Sequence, residues 1–221
     1  TFFDTKTIAL IDSSEKNTND KTWSFWEKEP SQWSDIIEKS WQHASVITHK
    51  KEIHLNLLPY HYKTVRSLDF YNYAKEKLSL SKHIKFIISK VESVEDINKT
   101  IVKTSSGAFT ASHVFDSRIP DVYSLHSEKY ISIIQHFKGW IIETDTDAFD
   151  DTSLTMMDYR LKDGNQTTFT YVLPFSKTKA LVEFTYFTDA CVNENTYDSF
   201  IKTYYTHFDV NNSKVGFARA P

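Results

Sequence analysis

The strings TTFTYVLPF (Thr167–Phe175) and ALVEFTYF (Ala180–Phe187), joined by the turn Ser176–Lys179, decide the architecture. β-Branched and aromatic residues fill both, a composition that suits a pleated, half-buried surface. Two segments of the same kind come before them, Tyr130–Thr144 and Thr152–Leu161, bounded by Asp145–Asp151 and by Asp163-Gly164-Asn165. Four such runs between turn residues predict an antiparallel sheet. Just beyond, Asn193–Tyr205 places Tyr197, Phe200, Ile201 and Tyr204 on one helical face and predicts a closing helix.

Toward the N-terminus the pattern changes. Thr7–Ile11 is a short continuous apolar run followed by Asp12, the signature of a buried parallel strand with an acid at its carboxyl end. Gln32–His43 carries Trp33, Ile36, Ile37 and Trp41 at helical spacing, with Ser31 as its N-cap, and predicts a helix. Ser45–His49, Ile53–Leu57 and Tyr62–Arg66 read as short strands, Leu68–Leu78 as a helix and Ile84–Ile88 as a strand. Val91–Ile97, Thr100–Lys103 and the stretch to Phe109 alternate around the turn Ser105-Ser106-Gly107, which predicts a small antiparallel meander. His113–Phe115 reads as a strand ending at Asp116. The expected class is α/β, with βα units and a large added antiparallel sheet.

Composition narrows the chemistry. The chain has 221 residues, 40% hydrophobic and 25% charged, with a net charge of -3, as expected of a soluble globular protein rather than a nucleic-acid binder with a clustered basic face. Its apolar runs are far shorter than the ~20 residues that span a bilayer. Cys191 is the sole cysteine, which excludes an internal disulfide and a multi-cysteine zinc site. The nine histidines contain no His-Glu-x-x-His pair, and the acidic run Glu143–Asp151 lacks the glycine and glutamate of a calcium loop, so no metal is expected. Sixteen Phe, twelve Tyr and five Trp stand against only four glycines, at 107, 139, 164 and 216. No two of these glycines form G-x-G-x-x-G, G-x-x-x-x-G-K-[ST] or G-x-S-x-G. These residues therefore do not cradle a phosphate in a glycine-rich loop of their own.

Four groups of strings carry a resemblance. They are Asn19-Asp20-Lys21-Thr22-Trp23-Ser24-Phe25-Trp26; Phe115-Asp116-Ser117-Arg118 ahead of Pro120; Gln135-His136-Phe137-Lys138-Gly139-Trp140, continuing to Phe149-Asp150 and Met156-Met157-Asp158-Tyr159-Arg160; and Tyr171-Val172-Leu173-Pro174-Phe175-Ser176, running into Ala180–Thr185. In order and spacing, from about residue 7 to about residue 205, the chain resembles the lycopene cyclase family, especially its bacterial β-cyclase branch. Lys21 stands where the family usually has Arg. The family's opening glycine loop and closing glycine-rich segment are not matched, so the chain reads as the central portion of such a protein.

The resemblance implies a flavoprotein of the aromatic-hydroxylase or glutathione-reductase type, lacking here the Gly-rich FAD loop. It assigns 1–20 and 63–121 to a partial FAD-binding domain, 22–62 and 122–190 to a substrate-binding antiparallel-sheet domain, and 191–221 to the closing helix and tail. The implied activity is proton-initiated, non-redox closure of the ψ end groups of lycopene into β-ionone rings. It depends on reduced FAD, with NAD(P)H as electron source, in a cytoplasmic protein held peripherally at the membrane. Other flavoproteins of the superfamily (a polyisoprenoid reductase or a monooxygenase) and a non-catalytic polyene- or lipid-binding domain are the alternatives.

Ring closure needs an acid strong enough to protonate an alkene yet still protonated near neutrality, which burial of a carboxyl achieves. Glu183 lies in an otherwise apolar run and matches the first Glu of the family's Phe-Leu-Glu-Glu-Thr string, making it the candidate acid. Asp12 is the candidate contact for the FAD ribose, as acids at strand ends are in dinucleotide folds. By the same resemblance Asp116, Arg118 and Arg66 are cofactor contacts. Trp23, Phe25, Trp26, Phe137, Trp140, Tyr171 and Phe175 are candidates to line a polyene tunnel, where their faces attract a developing cation by roughly 0.5–2 kcal/mol each.

Overall fold

In the computed structural model, which describes residues 5–96, 98–119, 129, 131–207 and, as backbone only, 215–219, the chain forms the following elements. They are β1 (Ile8–Asp12), β2 (Thr22–Lys28), β3 (Ile37–Trp41), β4 (His43–Ile47), β5 (Glu52–Asn56), β6 (Tyr60–Arg66), α1 (Ser67–Ser79), β7 (Ile84–Ile88), β8 (Val91–Asp96), β9 (Thr100–Thr104), β10 (Gly107–Ala111), β11 (Ile134–Thr144), β12 (Ser153–Asp158), β13 (Thr167–Ser176), β14 (Lys179–Thr188), α2 (Glu194–His207) and β15 (Val215–Arg219). The chain divides into two units, Thr1–Thr18 with Leu68–His126, and Asn19–Ser67 with Ser127–Pro221.

In the first unit β1 and β7 pair in parallel, from Ile8 opposite Ile84 to Asp12 opposite Ile88. The apolar run after Thr7 thus becomes a parallel strand with Asp12 at its carboxyl end, as its pattern predicts, but not a buried one: in this two-stranded sheet Leu10 is 44% exposed. β8, β9 and β10 form the antiparallel meander in the order β10-β9-β8. Its tight turn is closed by hydroxyls: Thr104 Oγ1 donates to the Gly107 carbonyl at 2.8 Å, and Gly107 has φ +143°, a value that L side chains rarely adopt.

The second unit holds a seven-stranded sheet, β15-β11-β14-β13-β12-β4-β5, and a three-stranded sheet, β2-β6-β3. The four long segments pair antiparallel, as their turns require, but β4 joins β12 in parallel, so the large sheet is mixed. Its two faces bury different layers. On one, α2 packs Tyr197, Ile201 and Tyr204 against Ile142, Val172, Ala180, Val182, Phe184 and Tyr186. On the other, Trp41, Ala44, Leu154, Leu173 and Leu181 form a separate cluster with Tyr62, Tyr171 and Phe175 at its margin.

Two expected elements are corrected. The helix over Gln32–His43 is replaced by a single 3-10 turn, Ser34–Ile36, followed by β3, which pairs with β6. Ser31 is not its N-cap: Trp33 holds that position without a side-chain cap bond, and the Ser31 Oγ accepts from the Trp33 amide at 3.0 Å in the preceding turn. A separation of four residues, as from Ile37 to Trp41, satisfies the alternation of a strand as well as the period of a helix, and pairing with β6 decided between them. The strand expected at His113–Phe115 does not form: the meander ends at Ala111, and Phe115 is 94% exposed. Tyr130, the expected start of β11, lies outside the described residues.

Candidate functional site

Strand alternation and register place Glu183. On β14 its neighbours Val182 and Phe184 turn into the layer under α2, so Glu183 projects from the opposite face. Across the sheet it stands opposite Tyr171 on β13 and Gly139 on β11, and the glycine contributes no side chain. Along its own strand, buried Thr185 donates its hydroxyl to Glu183 Oε1 at 3.2 Å. Glu183 is half-buried, and desolvation of its carboxyl raises the pKa from 4.5 to about 7, against the opposing effect of the Thr185 hydrogen bond. A carboxyl in that range can both hold and release a proton at neutral pH.

Two changes follow from this geometry. Thr185→Val removes the donor that favours the carboxylate, so the Glu183 pKa should rise further, read as an upward move of the carboxyl titration followed by infrared spectroscopy. Glu183 also links stability to pH. Its folded pKa lies above the unfolded value, so the ionised form opposes folding, with no penalty well below pH 4.5 and the full penalty above about pH 7. Glu183→Gln should therefore gain stability relative to the parent chain between pH 4 and pH 8, by about 3 kcal/mol in denaturant titrations.

A bridge of hydroxyls borders the acid. The Tyr171 hydroxyl donates to the Tyr62 hydroxyl at 2.8 Å, linking β13 to β6 of the smaller sheet. Burial is the main cause that holds the Tyr171 phenol neutral, with Tyr62 and the Glu183 charge acting in the same direction. Trp26 packs on Tyr62 with ring centroids 4.7 Å apart, and Phe175 lies 6.4 Å from Trp41 in the same layer. The structure thus gathers Trp26, Tyr171 and Phe175 on the side of Glu183. Phe137 shares that face, two residues from Gly139, and is 57% exposed.

The remaining tunnel candidates lie elsewhere. Trp140 follows Gly139 and so points to the other face, where its Nε1 donates to Asp198 Oδ1 of α2 at 3.0 Å. The same string sends Lys138 to Asp198 and His136 to the Tyr197 hydroxyl, so half of it anchors α2. On β2, Trp23 and Phe25 alternate with Ser24 and Trp26, and they face away with Lys63, whose buried ammonium meets Glu27 at 3.1 Å and Glu29 at 2.8 Å. Sequence reasoning left Tyr62, Thr185 and Trp41 out of the site. Tyr62 and Tyr171 are 109 residues apart, and only the pairing of sheets brings them together.

The cofactor candidates divide between the two units. In the first, Asp12 Oδ1 accepts from the Ser14 amide at 2.8 Å and Oδ2 meets Lys16 at 3.2 Å. The Arg118 guanidinium forks onto Asp116 and reaches the Val91 carbonyl at 3.2 Å. That fork, with the Arg118 amide, lowers the Asp116 pKa to about 2. Arg66 belongs to the second unit, where it is ion-paired with Glu38 of β3. An acid at the carboxyl end of a parallel pair suits a ribose hydroxyl, and Asp12 retains acceptor capacity for it. A pyrophosphate cradle of glycines is not supplied by these residues.

The fold has solved counterparts. It is similar to a geranylgeranyl bacteriochlorophyll reductase-like protein from Thermoplasma acidophilum (TM-score 0.61, 10% identity, 98% of this chain and 62% of that one). It is also similar to the flavin-dependent brominase Bmp2 (TM-score 0.61, 11% identity, 97% and 63%) and to a flavin-dependent halogenase from Xanthomonas campestris (TM-score 0.58, 8% identity, 96% and 56%). The chain therefore has the α/β flavoprotein fold, dominated by sheet, and spans 56% to 63% of the length of these three structures. No curated protein matches it by sequence. The family described as lycopene cyclase protein matches residues 5–217, so the strings around Glu183 and the flavoprotein fold belong together: the chain is a member of the lycopene cyclase family.

Proposed function

We propose that these residues supply the substrate face and the acid of a lycopene cyclase. Protonated Glu183 gives its proton to a terminal alkene of lycopene, the neighbouring double bond attacks the tertiary cation to close the ring, and a ring proton is then lost. Atoms and electrons balance as an isomerisation. The single observation that carries this reading is a half-buried carboxyl standing between Tyr171 and Gly139 on an aromatic face of the sheet, where desolvation holds it above the usual carboxyl range, in a member of this family. Tyr171 stands opposite the acid and meets Tyr62, on which the 51% exposed Trp26 packs, and the faces of these rings favour a cation.

In this reading the first unit is the nucleotide-binding part, with Asp12 toward the ribose and Asp116 with Arg118 shaping the adjoining loop, and the second unit binds the polyene. When bound, a reduced FAD recharged by NAD(P)H supplies electrostatic stabilisation of the cation without net electron transfer. The hydrocarbon substrate implies attachment to a membrane surface from the cytoplasmic side. No helix among the described residues is long and apolar enough to cross one. The test is expression in lycopene-accumulating cells, with pigments separated by chromatography. Cyclised product is expected, and lycopene left unchanged by an expressed, folded protein would refute the assignment.

A further inference from the structure

A polyene that reacts at Glu183 has to run along the sheet from there, and the two directions differ. Toward Leu181 the face is filled: Leu181, Leu173 and Trp41 are buried in one cluster. Toward the carboxyl end of β14 it opens. Thr185 comes next, flanked by Phe169 of β13 and Phe137 of β11, and then Phe187, opposite Gln135 and Thr167. Alternation puts all of these residues on the face of Glu183. On β11 the position opposite the acid is Gly139, so Phe137 is the first side chain of that strand on the way out. The rings follow one another: Tyr159 meets Phe169 edge-on with centroids 6.0 Å apart, and Phe169 lies 6.1 Å from Phe187. Phe169 is buried, whereas Phe187 is 37% and Phe137 57% exposed. Exposed apolar surface continuous with a site marks where a ligand rests.

We infer that the polyene lies along β14 from Glu183 to Phe187, with Phe137 and Phe187 as the binding residues at the open end of the site. Its chain rests on Phe169 between them. This rests on the reading of the Glu183 face as a polyene site and adds the direction of the substrate within it. The occupant follows from the same chemistry. The Thr185 hydroxyl is donated to Glu183, so the row from the acid to Phe187 presents rings and suits a hydrocarbon. From Glu183 to Phe187 the strand runs four residues, about 13 Å at ~3.3 Å per residue. A polyene shorter than that span occupies the acid without reaching Phe187.

The test titrates the chain, in detergent micelles, with lycopene and with a truncated acyclic polyene that keeps the same end group but is shorter than that span. Quenching of tryptophan fluorescence follows binding. Phe137→Ser and Phe187→Ser should each weaken lycopene binding about tenfold, the equivalent of about 1.4 kcal/mol, and leave the truncated polyene within about twofold of the parent. Retained binding of the truncated polyene also shows that the variants are folded. In the parent chain the ring-proton resonances of Phe187 should move with lycopene and stay in place with the truncated polyene. Lycopene affinity unchanged by either substitution, or Phe187 resonances that ignore bound lycopene, overturns the inference and leaves the polyene site standing. A variant that loses both polyenes has lost its fold, and the parent resonances then decide. Failure of both polyenes to bind the parent chain removes the polyene site and this inference with it.

Discussion

Glu183→Gln is expected to lower ring closure by about 10²–10⁴-fold, the range for losing a positioned general acid, while polyene binding stays within about twofold of the parent. The amide keeps the size and much of the polarity of the side chain but has no proton to give. The split between lost turnover and retained binding separates an acid from a packing residue. A pH profile adds a second signature: only the protonated carboxyl is active, so turnover should fall as pH rises through about 7. Glu183→Asp keeps the carboxyl but withdraws it by one methylene, and it should retain a measurable fraction of the activity. Unchanged conversion by Glu183→Gln would remove this residue from the chemistry whatever the rest of the face does.

Arg160→Leu is expected to destabilise the second unit by about 3 kcal/mol near neutral pH, the scale for removing one partner of a buried ion pair. Asp158 is fully buried and takes Arg160 as a fork: the Arg160 Nε lies 2.9 Å from Oδ1, and the Arg160 amide also donates to Oδ1 at 3.0 Å. Tyr204 donates to Oδ2 at 3.0 Å, so the same carboxylate ties α2 to the end of β12. Removing the guanidinium strands a charge that keeps only the hydroxyl and the amide. The pair Asp158→Asn with Arg160→Leu should recover much of the loss, because no unpaired charge remains. Urea titration of the single and double variants measures both effects. Additive losses would show that Asp158 and Arg160 act independently.

The strings that mark the family divide between these two roles. Met156–Arg160 supplies the Asp158 clamp, and Gln135–Trp140 fastens α2 through His136, Lys138 and Trp140 while presenting Phe137 and Gly139 to the acid. Asn19-Asp20-Lys21 wraps Ser67, whose hydroxyl accepts from the Asp20 and Lys21 amides at 3.0 Å each and seats β2 against the end of β6. Much of what looks like a binding motif in one dimension is thus the framework that holds the acid in place. Alternation explains why: in a strand, consecutive residues serve opposite faces.

The linear order of residues was enough to establish the parallel strand ending at Asp12, the meander turned at Gly107, the long β11, β13 and β14 segments and the helix α2. Each depends on local period and turn chemistry, which short-range sterics and burial enforce. It also singled out Glu183 as a carboxyl in an apolar run. Folding in three dimensions decided the rest. Partner strands turned the Ile37–Trp41 spacing into β3, left His113–Phe115 unpaired, and sent Trp140, Trp23 and Phe25 away from the face they were expected to line. Tyr62 and Trp41 joined Tyr171 through contacts more than a hundred residues apart along the chain. Which side of a sheet a residue faces, and what stands opposite it, depends on register and layer packing, and those are set by the whole assembly of strands rather than by neighbours in sequence.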